Sequence, residues 1–182
     1  MYVDGTLVLE DGSGYVDANS YASIEHADNE LQTHPDYTLV WYPATSSQKA
    51  SALINGTFYL DCRFRWYGWS KTESQSLGFP RTRVYSRRGV VYLPGVIPAE
   101  LIKATCLVGI KWLSKGTLFN SLSEKGPAQS IAAGITVEYN PTILNQQFLV
   151  GVRMTEVEQL LRSIGEFKEK EFYSNRITEV RN

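Results

Sequence analysis

Residues 65–81 read RWYGWSKTESQSLGFPR. Two of the four Trp residues of the chain stand three positions apart here, among Arg, Gly and Pro. Gly68, Gly78 and Pro80 exclude a long helix, because glycine and proline are the poorest helix formers. The segment is therefore a break between regular blocks, and its composition allows two uses. Exposed, Trp66 and Trp69 would offer faces on which nucleic-acid bases stack between cationic side chains. Turned inward, the same rings would pin an extended loop to a hydrophobic core.

The flanks carry helical periodicity. Before the break, Ala50, Leu53, Ile54, Phe58 and Leu60, with Cys62, form the apolar stripe of a helix expected over 46–63. After it, RVYSRRGVVYL (83–93) reads as a short hairpin turning at Arg88-Gly89. Ile97-Pro98-Ala99-Glu100 then opens a third helix, with proline at the first helical position and an acid in the first turn. Leu101, Ile102, Thr105, Val108 and Trp112 form its stripe, and Lys115-Gly116 its end. Nearer the amino end, TLVLEDGSG (6–14) reads as a short strand. Asn19 or Ser20 is placed to cap a helix through Tyr21, Ile24, Ala27 and Leu31, stopped at His34-Pro35. Residues 35–45 read as a loop.

Residues 117–142 are rich in Ser, Gly, Ala and Pro, with one strand expected in GITVEYN (134–140). Thr155 and Glu158 have capping-box spacing for a last helix, with Val157, Leu160, Leu161 and Ile164 apolar and Gly165 as its stop. The predicted fold is mainly α: a small bundle of about four helices with a short β-hairpin or strand element and extended terminal arms. Residues 1–165 form one helical domain in this reading. Residues 166–182 form a carboxyl-terminal docking arm, being charged yet studded with Phe167, Phe172, Tyr173, Ile177 and Val180, a mixture suited to ordering on a partner.

At 182 residues, 43% hydrophobic and 20% charged, the chain has the composition of an ordinary globular domain. No apolar run approaches the roughly 18 residues of a membrane span. The first residues lack the basic start and apolar segment of a secretory signal, so a cytoplasmic protein is expected. Cys62 and Cys106 stand alone and are expected as buried thiols. Reactive groups are scarce. His26 and His34 fall on or beside the first helix, Asp61 is expected to partner a nearby arginine, and no nucleotide-binding, hydrolase or zinc motif occurs. The expectation is a non-enzymatic protein without metal or cofactor.

Charge is segregated although the net charge is only −1. Residues 1–48 hold eight acids and no Lys or Arg, whereas residues 63–88 hold Arg63, Arg65, Lys71, Arg81, Arg83, Arg87 and Arg88 against a single acid, Glu73. The two regions are either complementary surfaces, possible partners across copies of the chain, or two solvated faces. Tyr67, Phe79, Tyr85 and Tyr92 add to the two Trp residues an inventory suited to single-strand binding. The acidic first quarter opposes a phosphate backbone unless the fold separates the two regions.

Four segments occur together in order: YVDANSYASIEHADNEL (15–31), KASALINGTFYLDCRFRWYGWS (49–70), QSLGFPR (75–81) and IPAELIKAT (97–105). This order resembles the phage proteins labelled DnaT-like single-stranded-DNA-binding proteins. Such proteins look like the head–tail connectors, or adaptors, of tailed bacteriophages. The resemblance implies a virion structural adaptor at the portal vertex, assembled in the host cytoplasm. It would be a ring of twelve copies that extends the DNA channel and offers a surface to the tail. Its implied partners are the portal protein, a tail or nozzle protein, other copies of itself, and genomic DNA passing without sequence-specific binding.

In that reading Arg63, Arg65, Trp66, Trp69, Arg81, Arg83, Arg87 and Arg88 are subunit-interface or DNA-facing candidates, with the subunit favoured. Phe167, Phe172, Tyr173, Arg176, Ile177 and Arg181 are portal-docking candidates. The alternative is a single-stranded-DNA-binding module acting in replication or packaging.

Overall fold

Helix α2, Ser46–Arg63, starts where a capping box closes. Gln48 N donates to the Thr45 hydroxyl, and Thr45 N donates to Gln48 Oε1 at 2.9 Å. The computed structural model describes residues 6–116, 130–132, 135–137 and 154–168. Within them α2 buries Ala50, Ala52, Leu53, Gly56, Thr57, Tyr59 and Leu60. The stripe read from sequence was therefore rotated: Phe58 is 58% exposed and Cys62 is exposed, not a core thiol.

The reason is close packing on α3, Ala99–Lys115. A Cβ on Gly56 would sit 3.0 Å from the Thr105 carbonyl oxygen and 3.2 Å from Gly109 N. One on Gly109 would sit 3.3 Å from the Ala52 carbonyl oxygen. Small residues on the inner face let the two backbones touch, and this choice outweighs maximal side-chain hydrophobicity. Pro98 is the cap of α3 rather than its first helical residue, and Gly116, in the left-handed conformation, ends it.

The first helix is shorter than expected. Helix α1 spans Ile24–Glu30, capped by the Ser23 hydroxyl, which accepts from His26 N at 3.1 Å. Asn19 and Ser20 are held extended instead, because both backbone N–H groups bond to the Val8 carbonyl and Glu10 N bonds back to Ser20. Leu9 and Ser20 thus form a parallel bridge, the only part of the expected first strand that pairs among the described residues. The loop after α1 contains a π-helical turn, Tyr37–Trp41, that sequence periodicity did not indicate. It seats Trp41 in the core, where the indole N–H and Lys49 Nζ both donate to Asp28 Oδ1 at 2.7 Å. Burial opposes ionisation of Asp28, but these two bonds win and hold its pKa below the usual value.

Helix α4, Thr155–Leu161, buries Val157 and Leu161, with Ile164 just beyond it. Its cap position is Met154 and carries no side-chain bond, so the Thr155/Glu158 capping box does not form. Strand β1, Phe64–Trp66, continues directly from α2. Strands β2, Trp69–Ser70, and β3, Arg81–Thr82, pair antiparallel through Trp69↔Thr82 and Ser70↔Arg81. The hairpin at 84–92 turns where sequence placed it, with Tyr85 opposite Val91 and Ser86 N bonded to the Val90 carbonyl at 2.8 Å.

A second unit, Thr117–Arg153, contributes β4, Ser130–Ala132, antiparallel to β5, Ile135–Val137. The strand expected at 134–140 is β5, and its partner was not foreseen. Strand β6, Gly165–Phe167, belongs with α1–α4 and pairs antiparallel to β1 through Phe64↔Phe167, Arg65↔Glu166 and Trp66↔Gly165. The protein is broadly helical with a few short antiparallel strands, which have a larger share than a mainly α bundle implies. No described helix is long and apolar enough to cross a membrane.

Candidate nucleic-acid interface

Alternation along β1 divides the opening motif into an inner and an outer half. Phe64 and Trp66 point inward and Arg65 outward, as the period of two in a strand requires. Trp66 is only 8% exposed. Its ring stacks on Phe64 at 5.3 Å and meets Phe79 edge-on at 5.3 Å. Glycines clear both sides of it: a Cβ on Gly78 would collide with the indole, and one on Gly165 would lie 2.6 Å from Cε3. Trp66 is therefore a pin for the loop and has no free face for a base.

The polar edge of Trp66 is held by a carboxylate. Trp66 Nε1 donates to Asp61 Oδ1 at 2.8 Å, Gly78 N donates to Oδ2 at 2.9 Å, and the Tyr21 hydroxyl donates to Oδ1 at 2.7 Å. The same hydroxyl accepts from Phe79 N at 3.1 Å. Asp61 thus joins the segment before α1, the end of α2 and the 78–79 turn, and the expectation of an arginine partner is corrected. Desolvation pushes its pKa up despite these donors. Burial, followed by the adjacent carboxylate, raises the Tyr21 phenol well above its usual value, so Tyr21 stays a neutral donor. No motif signalled this node; an acid at the last turn of an amphipathic helix looks like a solvated residue.

The cationic candidates divide in the same way. Arg81 is turned inward on its own loop. Its guanidinium donates to the carbonyls of Tyr67 and Gly68, each at 2.7 Å, and of Gly78 at 3.0 Å. It holds strands β2 and β3 together. Arg63 is half-buried, 5.8 Å from the Phe167 ring centroid. Arg87 donates to the Gln159 carbonyl on α4. Arg65, Arg83 and Arg88 are exposed, Arg65 opposite Glu166 in the strand register and Arg88 at the hairpin turn. Arg83 takes a left-handed backbone, φ 58°, where the chain leaves β3 for the hairpin.

Of the aromatics singled out between residues 66 and 92, three are exposed. Trp69 is 69% exposed, Tyr67 is 42% exposed and Tyr85 is 54% exposed. Trp69 sits on β2, pinned through its backbone to Thr82, while Arg81 fixes the Tyr67 and Gly68 carbonyls just before it. The motif is thus one buried indole that fixes a loop and one exposed indole that the loop presents. Tyr67 and Tyr85 were in the aromatic inventory from sequence, but only the fold separates them from the buried Phe79 and Trp66.

The acidic first quarter is partly neutralised internally. Glu10 is buried and accepts from the backbone N–H groups of Gly12, Gly14 and Tyr15 at 2.8–2.9 Å. Glu30 pairs with Lys103 at 2.5 Å, and Asp28 with Lys49 at 2.7 Å. Among the described residues no group of three or more His, Cys, Asp or Glu is placed to hold a metal. Of the docking-arm candidates, Phe167 lies in β6 against Phe64, with ring centroids 5.4 Å apart. Phe172, Tyr173, Arg176, Ile177 and Arg181 lie outside the described residues.

A small helical and β scaffold presenting exposed aromatics beside arginine has the makings of a binding surface. The family model described as "Putative DnaT-like ssDNA binding protein" matches residues 5–178. The chain belongs to that family. No curated protein and no solved structure matches it. The match corrects the head–tail adaptor reading, since the family description names single-stranded-DNA binding and carries no connector role. The segment order was read to the right family and the wrong function.

Proposed function

We propose that this protein is a non-enzymatic, cofactor-free single-stranded-DNA-binding module whose contact surface centres on Trp69. Bases stack on Trp69, with Tyr67 and Tyr85 as further aromatic faces, and Arg83 and Arg88 neutralise phosphates. The observation that carries this reading is the 69% exposure of Trp69 on a strand fixed by Arg81. A base stacked on that exposed indole gains contact energy whatever its identity. The family description points the same way. Pairing of Asp28 with Lys49 and of Glu30 with Lys103 reduces the repulsion that the acidic amino-terminal quarter offers to phosphate.

The test is anisotropy of a labelled oligothymidylate titrated with the protein at low and high salt. Binding that weakens with salt and on Trp69→Ala is the expected result. Absence of binding at low salt overturns the proposal.

A further inference from the structure

The loop after the Leu9 bridge is tied more tightly than a connection requires. Glu10 is buried, and its carboxylate gathers backbone donors from the residues that follow it. Gly12 N and Gly14 N donate to Oε1 at 2.8 and 2.9 Å, and Tyr15 N donates to Oε2 at 2.9 Å. Bonds from backbone N–H groups to a carboxylate are among the strong ones, so residues 10–15 are wound into one compact turn. That turn is seated on the core. Glu10 N donates to the Ser20 carbonyl at 2.9 Å, and Tyr21 N donates to the Thr57 hydroxyl of α2 at 3.3 Å.

Two separate parts of the proposed DNA surface meet this turn. On one side stands Lys71, the residue after β2. Its Nζ donates to the Gly12 carbonyl at 2.7 Å, and its backbone N–H donates to the Pro80 carbonyl, just before β3, at 3.1 Å. A Cβ on Gly14 would lie 2.8 Å from the Thr72 hydroxyl oxygen, so the two loops are in close contact. On the other side lies Gly95, beyond the hairpin that the Tyr92 N–H closes on the Val84 carbonyl at 2.9 Å. A Cβ on Gly12 would collide with the Gly95 carbonyl, and one on Gly95 would lie 3.0 Å from both the Gly12 carbonyl oxygen and Lys71 Nζ. Both glycines have positive φ, 96° and 92°, which lets the backbones approach this closely.

Resting on the DNA contact at Trp69, we propose that Glu10 is a positioning residue for it. The turn that Glu10 winds sets the spacing between the strand that carries Trp69 and the hairpin that carries Tyr85 and Arg88. The chain enters that hairpin from β3 through Arg83, and the turn at 10–15 ties down the chain that leaves it. With both aromatic faces held in advance, one DNA strand engages them without the cost of ordering them. An acid in the amino-terminal quarter therefore assists the binding of an anion, through geometry and against its own charge.

Spin labels at Ser70→Cys and Val90→Cys, both exposed positions, report the spacing without DNA in a Cys62→Ser background. Glu10→Gln, and separately Lys71→Met at an exposed side chain, should make the distance distribution about twofold broader as the ties open locally. Glu10→Gln should also weaken oligothymidylate binding by about threefold or more, whereas removal of a negative charge would by itself strengthen it. In a Tyr85→Ala background, which has no second face to hold, Glu10→Gln should leave affinity unchanged. Distributions that stay narrow in both variants overturn the positioning role and leave the DNA contact standing. Native affinity in Glu10→Gln, or an equal loss with and without Tyr85, also overturns it. A native protein that binds no oligonucleotide overturns the DNA contact itself, and this role of Glu10 with it.

Discussion

Trp66 Nε1 donates to Asp61 Oδ1 across 2.8 Å, tying the first strand after α2 back to the last turn of that helix. The bond sits where Tyr21, Phe79 and Gly78 converge, so one carboxylate organises three chain segments. Such a network is worth keeping only when each member is satisfied, because a buried polar group left short costs its full desolvation penalty.

Trp66→Phe removes the donor and keeps most of the ring. The expected loss is about 1–3 kcal/mol of unfolding free energy, the cost of an unmet buried hydrogen-bonding group. Urea unfolding with an unchanged m-value checks it. Oligonucleotide affinity, measured where the variant is folded, should stay at the native level, since this indole faces the core. A variant that binds DNA poorly while fully folded would return Trp66 to the interface.

Trp69→Ala should do the opposite. Its side chain is 69% exposed, so stability should change by no more than about 0.5 kcal/mol. Loss of a stacking platform should weaken oligonucleotide binding by about five- to a hundred-fold, corresponding to roughly 1–3 kcal/mol per stacked base. Anisotropy titration and thermal unfolding on the same preparation separate the two effects. Quenching of Trp69 fluorescence on binding, retained in the Trp66→Phe protein, is the spectroscopic counterpart.

The arginines should separate just as sharply. Arg83→Ala with Arg88→Ala removes two exposed cations and should lower the slope of log affinity against log salt by about 1.4, at roughly 0.7 per phosphate on single strands. Arg81→Ala strips three carbonyls of their donor and should cost about 1–3 kcal/mol of stability while leaving the slope alone. An unchanged slope in the double variant would remove Arg83 and Arg88 from the contact surface.

How far the fold could be read from sequence follows the reach of the interactions. The limits of α2 and α3 were legible because the apolar period of α2 and the Pro98 and Gly116 signals of α3 are local. The turn at Arg88-Gly89 was legible for the same reason. What failed depended on partners distant in sequence. Ser20 is pulled out of α1 by the carbonyl of Val8, and Phe58 is turned outward because Gly56 must meet Gly109. The site shows the same division. Sequence gathered the Arg and Trp residues into one inventory, but Trp66 and Trp69 look alike until β1 pairs with β6 and Asp61 claims one indole. Arg81 likewise reads as a free cation until the 67–70 backbone folds around it.

The Asp61 node also sets a pH dependence with a definite sign. Desolvation raises its pKa above the ordinary 3.8, outweighing the hydrogen bonds from Gly78, Tyr21 and Trp66 and the attraction of Lys168. Between the ordinary and the raised value, the folded chain keeps a proton that the unfolded chain has released. Folding is then favoured by protons, so the contribution of Asp61 is fully present below the unfolded value and declines as pH rises through the folded one. Asp61→Asn does not titrate and accepts with a single oxygen. It should be less stable than the native protein at every pH, and the gap should be wider at about pH 4 than at about pH 7. Paired urea titrations at the two pH values measure it. Other groups, including Asp28 with its lowered pKa, titrate alike in both proteins and cancel in the difference. A gap that narrows on acidification would mean that the three donors outweigh burial, and that the carboxylate rather than its acid is the form the fold prefers.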